Sequence, residues 1–174
     1  MEDRGEVVAV ERDSARADEL RATCERLRAG CVDVRVADAR EVVAHDAFDR
    51  VLVDPPCSGL GTLQARPDLR WRVRAGDLDD LAARQAAILD AGTAALRPGG
   101  TLVYSTCTLS ARENEDQVAA LVTRRPDLEV EDLQADLPLW EHQDVPRFLQ
   151  TMPHRHGTAG FFVARLRRAG EGTR

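Results

Sequence analysis

The sequence predicts an α/β fold built on a doubly wound, mostly parallel sheet. Short apolar runs alternate with helical segments, an order typical of parallel sheets. Three of the apolar runs close on an acid, at Glu11, Asp38 and Asp54. Open α/β sheets bind ligands at the carboxyl ends of their strands. One such acid is unremarkable, but three in a βαβ-like series indicate a ligand site.

Composition limits the classes of function. A chain of 174 residues, 43% of them hydrophobic, suffices for a single domain over 1–174. The net charge of -6 gives no global basic signature for nucleic acid, although a local patch is enough to bind it. No apolar run is long enough to span a bilayer, so we expect no membrane partner. Four cysteines without a CxxC pattern predict a reducing, cytoplasmic location and no metal site.

The first part of the chain has the pattern of a strand, a helix and a second strand. Residues 7–11 form an apolar run that closes on Glu11. Asp13 or Ser14 is suited to cap the following helix, which we expect to end at 29–30. Residues 32–37 alternate apolar and polar side chains before Asp38, which predicts the second strand.

The stretch 50–59, RVLVDPPCSG, is the centre of the sequence. Its β-branched run predicts a buried strand. Proline lacks an amide hydrogen and forces an extended conformation on the residue before it, so strand pairing should stop at Asp54. The stretch therefore presents a carboxylate, Asp54, and a thiol, Cys57, at the carboxyl end of a strand.

A second thiol follows the next predicted strand. We expect a helix of about twenty residues capped by Asp77 and ended by a turn at 97–100, and then a strand over 101–106 that delivers Cys107. One crossover helix separates the two strands, and neighbouring strands lie about 4.8 Å apart, so both thiols can meet at one edge. The alternatives are two structural cysteines, a zinc pair or a disulfide. No further ligands with suitable spacing support zinc, and the compartment disfavours a disulfide.

The C-terminal part predicts one more helix and two strands. Ser110 and Glu113 have capping-box spacing, which predicts a helix to about Arg125. Runs at 128–133 and 161–166 predict strands that can pair antiparallel, with an irregular segment between them. We expect residues 169–174 to be a disordered tail.

The connection after Gly59 is polar and basic. It contains Arg66, Arg70 and Trp71. Arginines interleaved with an aromatic residue can follow a phosphate backbone and stack on a base. The alternative is a solvated loop whose tryptophan packs on the domain, and composition alone leaves both open.

Several motifs together resemble the RNA cytosine-5 methyltransferases of the Sun/Fmu/NOL1 type, most closely the bacterial 16S ribosomal RNA enzymes. The resemblance covers about residues 7–168 and rests on paired cysteine motifs. The matching segments are DPPCSG at 54–59, RPD at 66–68 with Trp71, LVYSTCT at 102–108, ENE at 113–115 and GFFVAR at 160–165.

The resemblance implies a Rossmann-like class I methyltransferase sheet, mostly parallel with an antiparallel C-terminal strand. It implies S-adenosylmethionine as cofactor, with Glu11 at the ribose, Asp38 beside the adenine and Asp54 lining the methyl-transfer pocket. It also implies RNA, and 16S ribosomal RNA in particular, as the partner. Arg66, Arg70 and Trp71 would then contact that RNA.

The resemblance also implies separate roles for the two thiols. Cys107 would attack carbon 6 of a cytosine, so that carbon 5 becomes able to take the methyl group. Asp54 could stabilise the charge that develops at nitrogen 3. Cys57 would assist elimination and release of the methylated RNA. The target base would have to be unpaired or flipped out.

Three departures from the family pattern qualify this interpretation. The glycine-rich cofactor loop that precedes Glu11 in the family, and the first strand that carries it, have no counterpart here, so we expect a C-terminal fragment of the catalytic domain. The N-terminal RNA-binding region of the family is also unmatched. Ala159 stands where the family commonly has aspartate before Gly-Phe-Phe.

Two alternative functions remain. One alternative is a truncated or degenerate, non-catalytic module that binds RNA or cofactor. Another is an amino-group methyltransferase with an Asp-Pro-Pro motif, which is disfavoured because Cys57 replaces the usual aromatic residue.

Overall fold

The structure is a computed structural model that describes residues 4–41 and 45–170. It divides into two compact units, one up to residue 43 and the other from residue 44 onward. The single domain expected from the sequence stays a prediction. Residues 171–174 of the predicted tail lie outside the described part. No helix among the described residues is long and apolar enough to cross a membrane.

The N-terminal unit is a strand, a helix and a parallel strand. Strand β1 spans Val7–Glu11, helix α1 spans Ser14–Leu27 and strand β2 spans Val32–Val36. The two strands pair in parallel along their whole length. The Asp13 side chain accepts a hydrogen bond from the Arg16 amide at 3.1 Å, as expected of an N-cap aspartate.

The C-terminal unit contains the remaining strands and helices. Its strands are β3 (Phe48–Val53), β4 (Leu96–Thr106), β5 (Leu128–Val130), β6 (Leu149–Thr151) and β7 (Phe161–Arg168). Its helices are α2 (Leu69–Arg72), α3 (Ala75–Ala95), α4 (Glu115–Arg124) and α5 (Pro153–His156), with short 3-10 turns at Leu60–Thr62, Ala111–Glu113 and Pro138–Trp140.

The sheet of this unit has the order β3-β4-β7-β5, and β6 also pairs with β7. Strands β3 and β4 are parallel, whereas β7 runs antiparallel to β4, β5 and β6. All strands of this sheet except β7 therefore run in the same direction. The predicted α/β fold, mostly parallel with an antiparallel C-terminal strand, is confirmed.

The core lies between one face of this sheet and helices α3 and α4. Alternation along β4 places Leu102 and Tyr104 on that face, both fully buried, and β7 adds Phe162. The Phe162 ring meets Tyr104 and Phe148 edge to face, with centroids 6.3 and 5.1 Å apart.

Two predicted local features differ in the structure. Residues 97–100 belong to β4 and do not end α3 in a turn. The partner of Phe48 is Leu96 and that of Arg50 is Thr101, so the intervening residues of β4 bulge out of the ladder. Gly99 within this bulge has a φ of 75°.

Helix α3 begins two residues before the predicted cap. Asp77 lies in its first turn, and its carboxylate accepts a hydrogen bond from the Arg74 amide at 2.8 Å. An acid in the first turn can accept hydrogen bonds from free amides and interact favourably with the helix dipole, just as an acid at the cap can. The sequence pattern therefore does not distinguish the two positions.

Candidate active site

Strands β3 and β4 end side by side, and the turn after each carries a thiol. The strands pair in parallel up to Val53 and Tyr104. The sulfur atoms of Cys57 and Cys107 lie 3.2 Å apart, within hydrogen-bonding distance. A disulfide bond is about 2.05 Å long, so both cysteines are reduced. The structure thus brings together the two thiols that the sequence placed at one edge of the sheet.

Close backbone contacts hold the two turns against each other. The Gly61 amide donates to the Cys107 carbonyl at 3.0 Å, and the Gly160 amide donates to the Gly61 carbonyl at 2.7 Å. A Cβ atom on Gly61 would lie 2.0 Å from the Gly160 oxygen and 2.9 Å from the Cys107 oxygen. Only glycine permits this approach, so the segment after Cys57 is fixed to the segment that carries Cys107.

Burial changes the proton affinity of the groups at this edge. Burial, and then the hydrogen bond with Cys107, raises the pKa of the Cys57 thiol well above its usual value. Cys57 is therefore protonated at neutral pH. Burial also raises the pKa of the Asp54 carboxyl, so this group binds a proton more readily than an exposed aspartate.

Glu113 is the site residue that sequence reasoning missed. The predicted capping box is wrong, because Ser110 makes no capping hydrogen bond through its side chain and α4 begins only at Glu115. The fully buried Glu113 carboxylate instead accepts hydrogen bonds from Ser58, Gln85 and other groups around the thiol turns. The matching ENE segment at 113–115 marked this position without indicating its role.

A second buried contact ties the β4 turn to the start of α4. The Thr106 hydroxyl donates to Asn114 Oδ1 at 2.5 Å, and Asn114 Nδ2 donates to the Thr108 carbonyl at 3.1 Å. Asn114 thus bonds the residues on both sides of Cys107. These hydrogen bonds to Asn114 restrain the backbone on both sides of the Cys107 thiol.

The predicted cofactor acids Glu11 and Asp38 lie in the N-terminal unit, at the ends of its parallel strands. Glu11 Oε1 accepts a hydrogen bond from the Asp13 amide at 2.8 Å. Both Asp38 oxygens accept from the Arg40 guanidinium, at 3.0 and 2.6 Å. This hydrogen bonding holds the pKa of Asp38 well below its usual value, so its carboxylate is charged. The third acid, Asp54, belongs to the other unit, directly after β3.

The predicted RNA-binding residues are on the surface. Trp71 lies on the short helix α2 and is 82% exposed, and Arg66 and Arg70 are exposed as well. Trp71 therefore does not pack on the domain, which was the alternative interpretation of this loop. An exposed indole flanked by guanidinium groups is available to stack on a base.

The described residues contain no group of three or more histidine, cysteine or acidic side chains that could hold a metal ion. His142 is fully engaged in the fold. Its Nε2 contacts the Glu115 carboxylate, and its Nδ1 accepts from the amides of Asp144 and Val145 at 3.2 and 3.1 Å.

Comparison with known proteins identifies the family. The family described as 16S rRNA methyltransferase RsmB/F matches residues 1–167. The chain belongs to this family. Among its relatives, a probable ribosomal RNA small subunit methyltransferase B from Synechocystis is 36% identical over 97% of this chain and 39% of the relative. That from Bacillus subtilis is 34% identical over 98% of this chain and 39% of the relative. The RsmB/F chain thus spans about two fifths of their length.

Solved structures agree with this assignment. The crystal structure of NSun6 from Pyrococcus horikoshii with SFG has a TM-score of 0.85 and 33% identity, and covers 98% of this chain and 43% of that one. A SAM-dependent O-methyltransferase from Thermotoga maritima, 15% identical with a TM-score of 0.54 over 99% of this chain and 53% of that one, shares the fold alone. The family resemblance and the Rossmann-like sheet are confirmed.

The close approach at Gly61 gives a stability prediction. We expect Gly61→Ala to lower the free energy of unfolding by about 1–3 kcal/mol, because the new methyl group must displace backbone atoms. Gly76→Ala is the matched control, since a Cβ there meets nothing within 4 Å. On α3 it should leave stability unchanged or raise it by up to about 1 kcal/mol. Chemical denaturation measures both, and equal effects would contradict the packing role of Gly61.

Proposed function

We propose that this RsmB/F protein transfers a methyl group from S-adenosylmethionine to carbon 5 of a cytosine in RNA, with 16S ribosomal RNA as the substrate. The observation that carries the proposal is the pair of reduced thiols, 3.2 Å apart, at the carboxyl ends of two parallel strands. A covalent route to carbon 5 needs a nucleophile and a group that helps it leave. Two adjacent thiols, one of which is held protonated by burial, suit these two tasks.

The acids that follow the strands support S-adenosylmethionine as the cofactor in this proposal. Carboxylates accept hydrogen bonds from ribose hydroxyls and pair with an ammonium group. Glu11 would hold the ribose, Asp38 would lie by the adenine and Asp54 would line the methyl-transfer pocket. NSun6, which this chain resembles, was crystallised with SFG, an analogue of S-adenosylmethionine. When bound, S-adenosylmethionine supplies an electrophilic methyl group.

Cys107 is the nucleophile in this proposal. Its thiol loses a proton to solvent, the sulfur forms a bond to carbon 6 of the cytosine, and the electrons of the 5,6 double bond make carbon 5 nucleophilic. Asp54 holds a proton at nitrogen 3 and so stabilises the charge that develops on the ring. The raised pKa of Asp54 supports this role, because the carboxyl retains a proton more readily.

Cys57 acts in the second half of the reaction. After carbon 5 has taken the methyl group, its proton is lost to solvent. The bond between carbon 6 and Cys107 breaks, and the electron pair returns to the sulfur. Cys57 donates a hydrogen bond to this leaving thiolate. Its raised pKa supports the role, since a protonated thiol is needed as donor.

The RNA partner is inferred from the relatives and from one exposed surface. The curated relatives are named ribosomal RNA methyltransferases. Arg66, Arg70 and Trp71 form an exposed group suited to a phosphate backbone and an unstacked base. A base stacked in a stem cannot reach these half-buried thiols, so the target is unpaired or flipped out. Ribosomal RNA also accords with the cytoplasmic location expected from the cysteines.

The nucleophile is tested by substitution. Cys107→Ala should lower methyl transfer from labelled S-adenosylmethionine to 16S ribosomal RNA by more than roughly 10³-fold, because no covalent adduct can form. Cys24→Ala, which removes a thiol from α1, is the control and should keep its activity. Undiminished turnover in Cys107→Ala would overturn the assignment.

The release role makes a distinct prediction. Cys57→Ala should accumulate a covalent complex between protein and RNA, seen as a retarded band on a denaturing gel, because attack still occurs but elimination slows. The double variant Cys57→Ala/Cys107→Ala should lose that band. A Cys57→Ala protein that forms no adduct would contradict the release role.

Calorimetry separates a methyltransferase from a non-catalytic binding module. The chain spans only 39% of the curated relatives named above, so S-adenosylmethionine should be titrated into this chain and into a protein extended to their full length. Binding by the extended protein alone supports a piece of an active enzyme. Absence of binding by both would favour the non-catalytic module.

A further inference from the structure

We propose that Glu113 is a positioning residue that sets the geometry of the two thiols through the residues that follow them. The inference rests on the proposed function for its catalytic consequence, but not for its geometry. Ser58 follows Cys57, and Thr108 follows Cys107. Both bond one carboxylate, which is fully buried.

Each oxygen of the Glu113 carboxylate has two close donors. Oε1 accepts from the Ser58 amide at 2.8 Å and from Gln85 Nε2 at 3.0 Å. Oε2 accepts from the Ser58 hydroxyl at 2.6 Å, and the Thr108 hydroxyl lies 3.2 Å away. The two hydroxyl oxygens are 2.7 Å apart. Since the Ser58 proton points to Glu113, the single Thr108 hydroxyl proton is shared between the Ser58 oxygen and Oε2.

Gln85 connects the Glu113 carboxylate to Pro56, the residue before Cys57. Its Nε2 group also donates to the Pro56 carbonyl at 3.0 Å. Gln85 is fully buried on α3, so its amide is held by the core. The backbone on both sides of Cys57 is therefore fixed to a cluster made of Glu113, Gln85, Ser58 and Thr108, which we name the carboxylate cluster.

The cluster requires an acceptor at both Glu113 oxygens. A buried carboxylate is tolerated only where donors replace its hydration, and here they come from both thiol turns. Glu113→Gln keeps the shape but turns one oxygen into an amide donor. That group would face either the Ser58 amide or the Ser58 hydroxyl, and neither arrangement satisfies every donor. The turn with Cys57 should then loosen relative to Cys107.

The geometry is tested without RNA. Iodoacetamide forms a thioether with release of iodide and a proton, and mass spectrometry gives the rate at each cysteine. In Glu113→Gln we expect Cys57 to react about tenfold faster, because a loosened turn exposes its half-buried thiol further. The rate at Cys24 is the internal control, and Glu129→Gln, at an exposed position on β5, is the matched control. An unchanged Cys57 rate would overturn the proposal.

The catalytic consequence is tested with RNA in the form of the protein that binds S-adenosylmethionine. Glu113→Gln should lower kcat by about tenfold and leave KM for RNA within about twofold. The substitution disturbs the relative positions of the two thiols but not the surface that binds RNA. Covalent adduct should persist, as for Cys57→Ala. Unchanged kcat and no persisting adduct would reject the positioning role. If the wild-type protein itself methylates no RNA, the proposed function fails, while the alkylation rates still decide the geometry.

A second pair of variants applies if Glu113→Gln does not fold, which a collapsed denaturation midpoint and uniform alkylation would reveal. Thr108→Val keeps the shape and removes the hydroxyl from the cluster. Thr108→Ser keeps the hydroxyl. Faster alkylation of Cys57 in Thr108→Val, with the wild-type rate in Thr108→Ser, would support the proposal. Equal rates in both would overturn it.

Discussion

The parallel pairing of β3 with β4 is the constraint on which the site depends. Because the strands run in the same direction and pair up to Val53 and Tyr104, their following turns emerge at one edge. Residues 50 positions apart in sequence thus come within 3.2 Å. The helix α3 between them supplies the crossover that parallel strands require. It also supplies Gln85 to the carboxylate cluster.

Strand pairing alone does not fix the thiols, because each lies beyond the end of its strand. The structure adds two further restraints. Gly61 brings backbone amides and carbonyls together where any side chain would clash. In the carboxylate cluster, the residue after each cysteine, Ser58 or Thr108, is hydrogen-bonded to Glu113. A buried carboxylate is costly unless satisfied, so its donors must keep their places, and this requirement links the two turns.

Much of the fold could be predicted from the sequence, because its strands are apolar, β-branched and closed by turn residues. The strand before Asp54 and the strand before Cys107 end where the patterns placed their ends. Local spacing failed where a side chain has a tertiary partner. Ser110 and Glu113 match a capping box, yet Glu113 bonds residues 28 and 55 positions away. No periodicity encodes such contacts.

The sequence also could not decide between the two thiols, since both follow a buried strand. The family resemblance implies attack by Cys107, and the release role that we propose for Cys57 rests on the surroundings of its thiol. The residues on both sides of Cys57 are bonded to the carboxylate cluster, and burial raises the pKa of its thiol. A protonated thiol is a poor nucleophile, but it can donate a hydrogen bond. In the proposed reaction, the same burial keeps a proton on Cys57 that can be donated to the sulfur of Cys107, 3.2 Å away.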